Sequence, residues 1–116
     1  MKAEAPGALV WFVAGFGIWA VCFALLYGLQ AVGCEWGWHE ATVGPATVQA
    51  IVLAVILAGH LAVLAILSAV AWRWWSEATD GAASRFLRGS AAVLTAAALA
   101  ATLWTGLPAV LLPACI

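Results

Sequence analysis

The sequence predicts an all-α integral membrane protein, a three-helix bundle with its N-terminus cytoplasmic and its C-terminus periplasmic. Three observations lead there. Hydrophobic residues make up 67% of the 116 residues and charged ones only 8%, more apolar surface than a water-soluble fold of this size can hide. Three apolar runs alternate with two short polar segments, and each run exceeds the ~20 residues a helix needs to cross a ~30 Å hydrocarbon layer. Every Lys and Arg falls in the N-terminal tail or the second polar segment, and the positive-inside rule places those parts in the cytoplasm. A single domain, 1–116, accounts for the chain.

The chain opens on a polar start, residues 1–7, broken by Pro6-Gly7. The apolar run that follows is too long for the ~7–15-residue core of a signal peptide, so it reads as a retained first helix over about 8–32. Gly17, Ala20, Ala24 and Gly28 recur along it. They predict a helix-packing seam, because in lipid small residues let two backbones approach closely. The first loop, GCEWGWHEATVG, holds Glu35, His39 and Glu40 but no Lys or Arg.

Helix two is expected over about 45–72, with Pro45 in its first turn, where a missing N–H is no loss. It carries no Lys, Arg, Asp or Glu, and as the middle span it is the helix around which the bundle should be built. The second loop follows with Arg73, Arg85, Arg88, Glu77 and Asp80. Trp74, Trp75, Phe86 and Leu87 would anchor it as an amphipathic segment on the membrane surface. Helix three, over about 88–112, is rich in Ala, with Thr95, Thr102 and Thr105 on one side and Pro108 loosening or ending it. Tryptophan supports the same orientation: Trp11, Trp72, Trp74 and Trp75 mark the inner interface, and Trp36, Trp38 and Trp104 the outer one. Trp19, inside helix one, stands apart from both belts.

His60 is the one ionisable side chain deep within a span, which makes it a candidate functional residue. Three roles are open to it: a neutral strut hydrogen-bonding between helices, a contact for a quinone or partner, or a haem ligand. A bis-His haem needs a second ligand at similar depth, and His39 lies about 30 Å away along a helix. Cys34, Glu35, His39 and Glu40 form only a loose set of metal-ligand types, so no metal site is assigned. No catalytic residue is assigned either. Ser68, Ser76, Ser84 and Ser90 lack a nearby His or a glycine elbow. A net charge of -1 with four basic residues excludes a nucleic-acid footprint.

The three cysteines divide by position. Cys22 lies mid-helix and should be a buried free thiol acting as a small apolar residue. Cys34 and Cys115 each fall just past the outer end of a helix, on the oxidising face if the host is a bacterium. Helices one and three can be neighbours, so a Cys34–Cys115 disulfide is expected. Two unrelated thiols are the alternative, since Cα atoms more than ~7 Å apart cannot be bridged.

The pattern Trp19-xx-Cys22-Phe23-xxx-Tyr27-Gly28-xx-Ala31-xx-Cys34, with the closing Leu-Pro-Ala-Cys115, resembles a family of small three-span proteobacterial membrane proteins encoded beside haem–copper terminal oxidases. Cys22 stands where that family often carries His. The resemblance implies a non-catalytic accessory or assembly subunit of a respiratory electron-transfer complex. Its partners would be larger membrane-complex subunits and the lipid bilayer, and it would have no cofactor of its own. His60 in helix two also looks like the haem-ligating His of succinate dehydrogenase membrane anchors, although SAVAWRWW stands where those anchors carry an Asp-Tyr pair. That likeness implies an alternative, an anchor binding haem or quinone through His60. A small homo-oligomeric transporter is a third.

Overall fold

The computed structural model describes residues 4–79, 81–112 and 115; Lys2, Asp80, Pro113, Ala114 and Ile116 lie outside them. The chain forms α1 (Glu4–Trp36), a two-stranded antiparallel hairpin of β1 (Thr42–Val43) and β2 (Ala46–Thr47), α2 (Val48–Ser76) and α3 (Ala82–Leu111). All three helices are long and apolar enough to cross a membrane. They lie in a bundle 57 Å long and 21 by 17 Å across.

All three helices begin elsewhere than expected, and α1 and α2 end later, for local reasons. α1 passes Val32 and stops at Gly37, whose φ of 76° is the left-handed conformation that closes a helix. Trp38 N–H bonds Gly33 O at 2.9 Å and Gly37 N–H approaches Cys34 O at 3.4 Å, the paired bonds of a Schellman cap. Pro45 is not in the first turn of α2. It follows Gly44, at φ 63°, in the turn of the hairpin. The helix is capped instead by Thr47, whose side chain accepts from Ala50 N–H at 3.1 Å.

The expected surface loop 73–89 is mostly helix, and only residues 77–81 connect α2 to α3. Long Arg side chains reach outward from a helix end, so charge here does not mark a helix boundary. Arg88 bonds Trp74 O at 2.8 Å and lies 5.0 Å over the Trp74 ring, holding the two helix ends together. Trp74 in turn stacks on Trp11 at 6.2 Å. Pro108 does not end α3, which runs on to Leu111.

The bundle is built around α3 rather than α2. α3 packs on both other helices, which touch each other less. Its small residues make this possible. Gly15 of α1 sits where an added Cβ would lie 3.3 Å from Ala98 Cβ and 3.4 Å from Thr95 Cα. At Gly106 an added Cβ would collide with Leu57 of α2 and lie 3.3 Å from Leu26 of α1. Cys22, Leu26, Leu53, Leu57 and Ala109 form the core. Thr95 and Thr102 are buried and donate back to Ala91 O and Ala98 O at 2.7 and 2.8 Å, so their hydroxyls are satisfied within α3.

The small-residue stripe expected on α1 does not face the other two helices of this chain. Gly17, Ala20, Ala24 and Gly28 are all exposed, and nothing lies within 4 Å of a Cβ added at Gly17 or Gly28. The inward residues are Gly15, Cys22, Leu26 and Gly33. At about 100° per residue these four fall within about 40° of one another, and the expected stripe is centred about 180° away.

Candidate functional site: a groove beside His60

A groove of about 740 Å³ opens between α1 and α2, within the ~300–1,000 Å³ range of small-molecule sites. Gly17 and Val21 line one wall, and Val55, Gly59, His60 and Val63 the other. Below the groove the helices are bridged by the stacked Trp11 and Trp74 rings, and they close on each other directly toward the opposite end. There an added Cβ at Gly33 would lie 2.9 Å from Trp38 and 3.1 Å from Gln49, and Leu26 shares the core with Leu53 and Leu57. Beside the groove, Gly15 leans on α3 instead. Nothing lies within 4 Å of a Cβ added at Gly17 or Gly59, so both walls present bare backbone to open space.

His60 Nδ1 lies 2.8 Å from Ile56 O. A carbonyl can only accept, so in the neutral ring Nδ1 carries the proton and Nε2 keeps its lone pair. The bond stays within α2, so the strut expected between helices is not formed. Among the described residues the ring has no other hydrogen-bond partner. What it offers is an acceptor at mid-span beside an apolar groove. Such an edge can accept from a hydroxyl or N–H donor or ligate a metal, with the Nδ1 bond fixing tautomer and ring orientation.

The other expected site is at the end of the bundle where α1 stops and α2 begins. Cys34 and Cys115 are joined there as a disulfide with Cα atoms 5.6 Å apart, and Cys22 is a buried free thiol. Beneath the bridge Gln49 is only 4% exposed. Its Nε2 donates to Gln30 O at 3.3 Å, and Gln30 Nε2 to Ala109 O at 3.3 Å. Its Oε1 lies 3.5 Å from Cys115 Sγ; a bridged sulfur has no proton to give, so this is a contact only. The bridge also takes Cys34 out of the loose metal-ligand set. His39 Nε2 lies 3.7 Å from Glu40 Oε1, an exposed pairing of little energetic weight.

Sequence reasoning missed what the resemblance pattern does. Trp19, Phe23 and Tyr27 form an aromatic ladder with ring centroids 5.9 and 4.8 Å apart, at the four-residue spacing of one helix face. Trp19 Nε1–H donates to Thr105 Oγ1 at 3.2 Å and the Tyr27 hydroxyl to Thr105 O at 3.0 Å. Trp19 stands apart from the belts because its indole N–H is satisfied by α3. The i, i+4, i+8 aromatic spacing, with a Thr near the end of the third helix, was the available signal. No protein-family model, curated protein or solved structure matches the chain.

Proposed function

We propose that this chain is a multi-pass protein of the bacterial inner membrane, N-terminus inside and C-terminus outside. In this reading it is a non-catalytic accessory or assembly subunit of a respiratory electron-transfer complex. The groove beside His60 carries the reading. Lipid tails are satisfied by any apolar helix face, so the bilayer alone accounts for neither an apolar groove opened at Gly17 and Gly59 nor an imidazole acceptor at mid-span. Both are what a neighbouring subunit's helix would use. The resemblance carried by Trp19 to Cys34 supports the oxidase-type setting.

Support for the orientation comes from chemistry at the two ends. Arg73, Arg85 and Arg88 gather where α2 meets α3, while the Cys34–Cys115 bridge lies at the opposite end, at the last turn of α1. Basic residues favour the cytoplasm, and a disulfide persists in the periplasm. A reporter active only in the periplasm should work when fused after Ile116 and be silent when inserted near Gly81; the reverse pattern would overturn the orientation.

Purification in mild detergent tests the function. Subunits of an electron-transfer complex should come with the chain in fixed proportion. A chain recovered alone refutes the accessory role, and a defined ring of self-copies favours the transporter reading. The free Nε2 of His60 favours one second reading, an anchor contacting haem or quinone in the groove. The residues fit such a group in part, with one ligand nitrogen and apolar walls. An absorbance spectrum of the purified protein separates the two readings, because a b-type haem is visible at once.

A further inference from the structure

The end of the bundle where α2 gives way to α3 holds a second cleft, of a different character. Trp72, Trp75, Ser76, Arg85 and Phe86 enclose a space of about 530 Å³. Trp75, Arg85 and Phe86 also wall an adjoining space of about 460 Å³, which runs on down α3 past Gly89, Val93 and Leu94. The three shared residues place the two spaces side by side, and together they form a groove. It is cationic at the helix end and apolar over the next ~13 Å of helix.

Its shape is held from below. The Trp75 ring lies against Gly89, where an added Cβ would come within 2.9 Å of it, and the ring meets Trp72 edge-on at 5.1 Å. The charge at its mouth is available. Arg88 bonds the Trp74 carbonyl at 2.8 Å, and Ser76 Oγ donates to Arg73 O at 2.8 Å. Arg85 is exposed, and among the described residues its guanidinium meets no carboxylate. The one described acid nearby in sequence, Glu77, is exposed and forms the C-cap of α2.

We propose that this groove binds one anionic phospholipid, with Arg85 holding the headgroup phosphate and an acyl chain lying along Gly89, Val93 and Leu94. A guanidinium with no carboxylate among the described residues, in a space that Trp72 and Trp75 also line, favours a phosphate-bearing anion, and the apolar continuation selects an anion that carries a hydrocarbon tail. Basic pockets between spanning helices near the cytoplasmic interface hold lipid headgroups by this combination. The assignment rests on the three helices spanning a membrane and not on the accessory role.

The test is native mass spectrometry of the full chain in mild detergent, with phosphatidylglycerol and phosphatidylcholine of the same acyl length offered in equal amounts. The wild-type chain should retain one phosphatidylglycerol in preference to phosphatidylcholine. Arg85→Gln should lower that retention about five- to tenfold, Arg85→Lys should keep most of it, and Arg73→Gln should change it little. Millimolar inorganic phosphate should not displace the lipid; displacement would reduce the site to a phosphate site. Equal retention of the two lipids, or retention indifferent to Arg85→Gln, overturns the proposal while leaving the membrane reading intact. Release of the chain from membranes by alkaline carbonate overturns both.

Discussion

Freshly isolated protein, unfolded in alkylating agent without reductant, should gain one alkyl group, on Cys22. Cys34 and Cys115 are the two cysteines whose Cα atoms lie 5.6 Å apart, inside the ~4.4–6.8 Å window a disulfide requires. Cys22 is buried among Leu26, Leu53 and Leu57, beyond the reach of either. The bridge closes a loop with a sequence separation of 81 residues, for which chain entropy sets a ceiling of about 4.5 kcal/mol. Helices already inserted in a bilayer are restrained before they pack, so a loss of about 2–3 kcal/mol on removing the bridge is expected. The double variant Cys34→Ser/Cys115→Ser, which leaves no unpaired outer thiol to cross-link, should show that loss in a detergent unfolding titration. Reductant should reproduce it in the wild type and leave the variant unchanged. Three alkyl groups on the fresh protein would remove the bridge from the account.

The cysteine pair was legible because its logic is topological: three consecutive helices packed side by side bring the end of the first and the end of the third to the same end of the bundle. The spans were legible for the same reason, since apolar length alone identifies them. The helix ends were not. Arg73, Arg85 and Arg88 look like loop residues by charge, yet snorkelling side chains let α2 and α3 run on through them, and the connection shrinks to 77–81. The packing face of α1 was misread because small residues occupy both of its sides. The buried positions of α1 are the heptad-like set Gly15, Cys22, Leu26 and Gly33. His60 could be singled out from its depth in the span. The groove beside it could not, because a splay between two helices depends on where a third one holds each of them.

Replacing His60 should leave the bundle standing and weaken what binds beside it. The ring's hydrogen bond runs to Ile56 O within its own helix, so neither His60→Gln nor His60→Leu breaks a contact between helices, and both variants should assemble like the wild type. The difference should come at Nε2. Gln still presents an acceptor toward the groove, whereas Leu presents none. Intramembrane hydrogen bonds are worth roughly 0.6–2 kcal/mol, so His60→Leu should weaken partner retention about 3- to 30-fold. His60→Gln should stay within about threefold of the wild type. The measurement is the fraction of partner subunit retained on the tagged chain through graded detergent washes, with the variants compared at equal membrane abundance. Equal retention by all three chains would take His60 out of the interface. If Gln fails as completely as Leu while the bundle remains intact, Nε2 acts as a ligand atom rather than a hydrogen-bond acceptor, and the absorbance spectrum of the wild-type protein then identifies what it ligates.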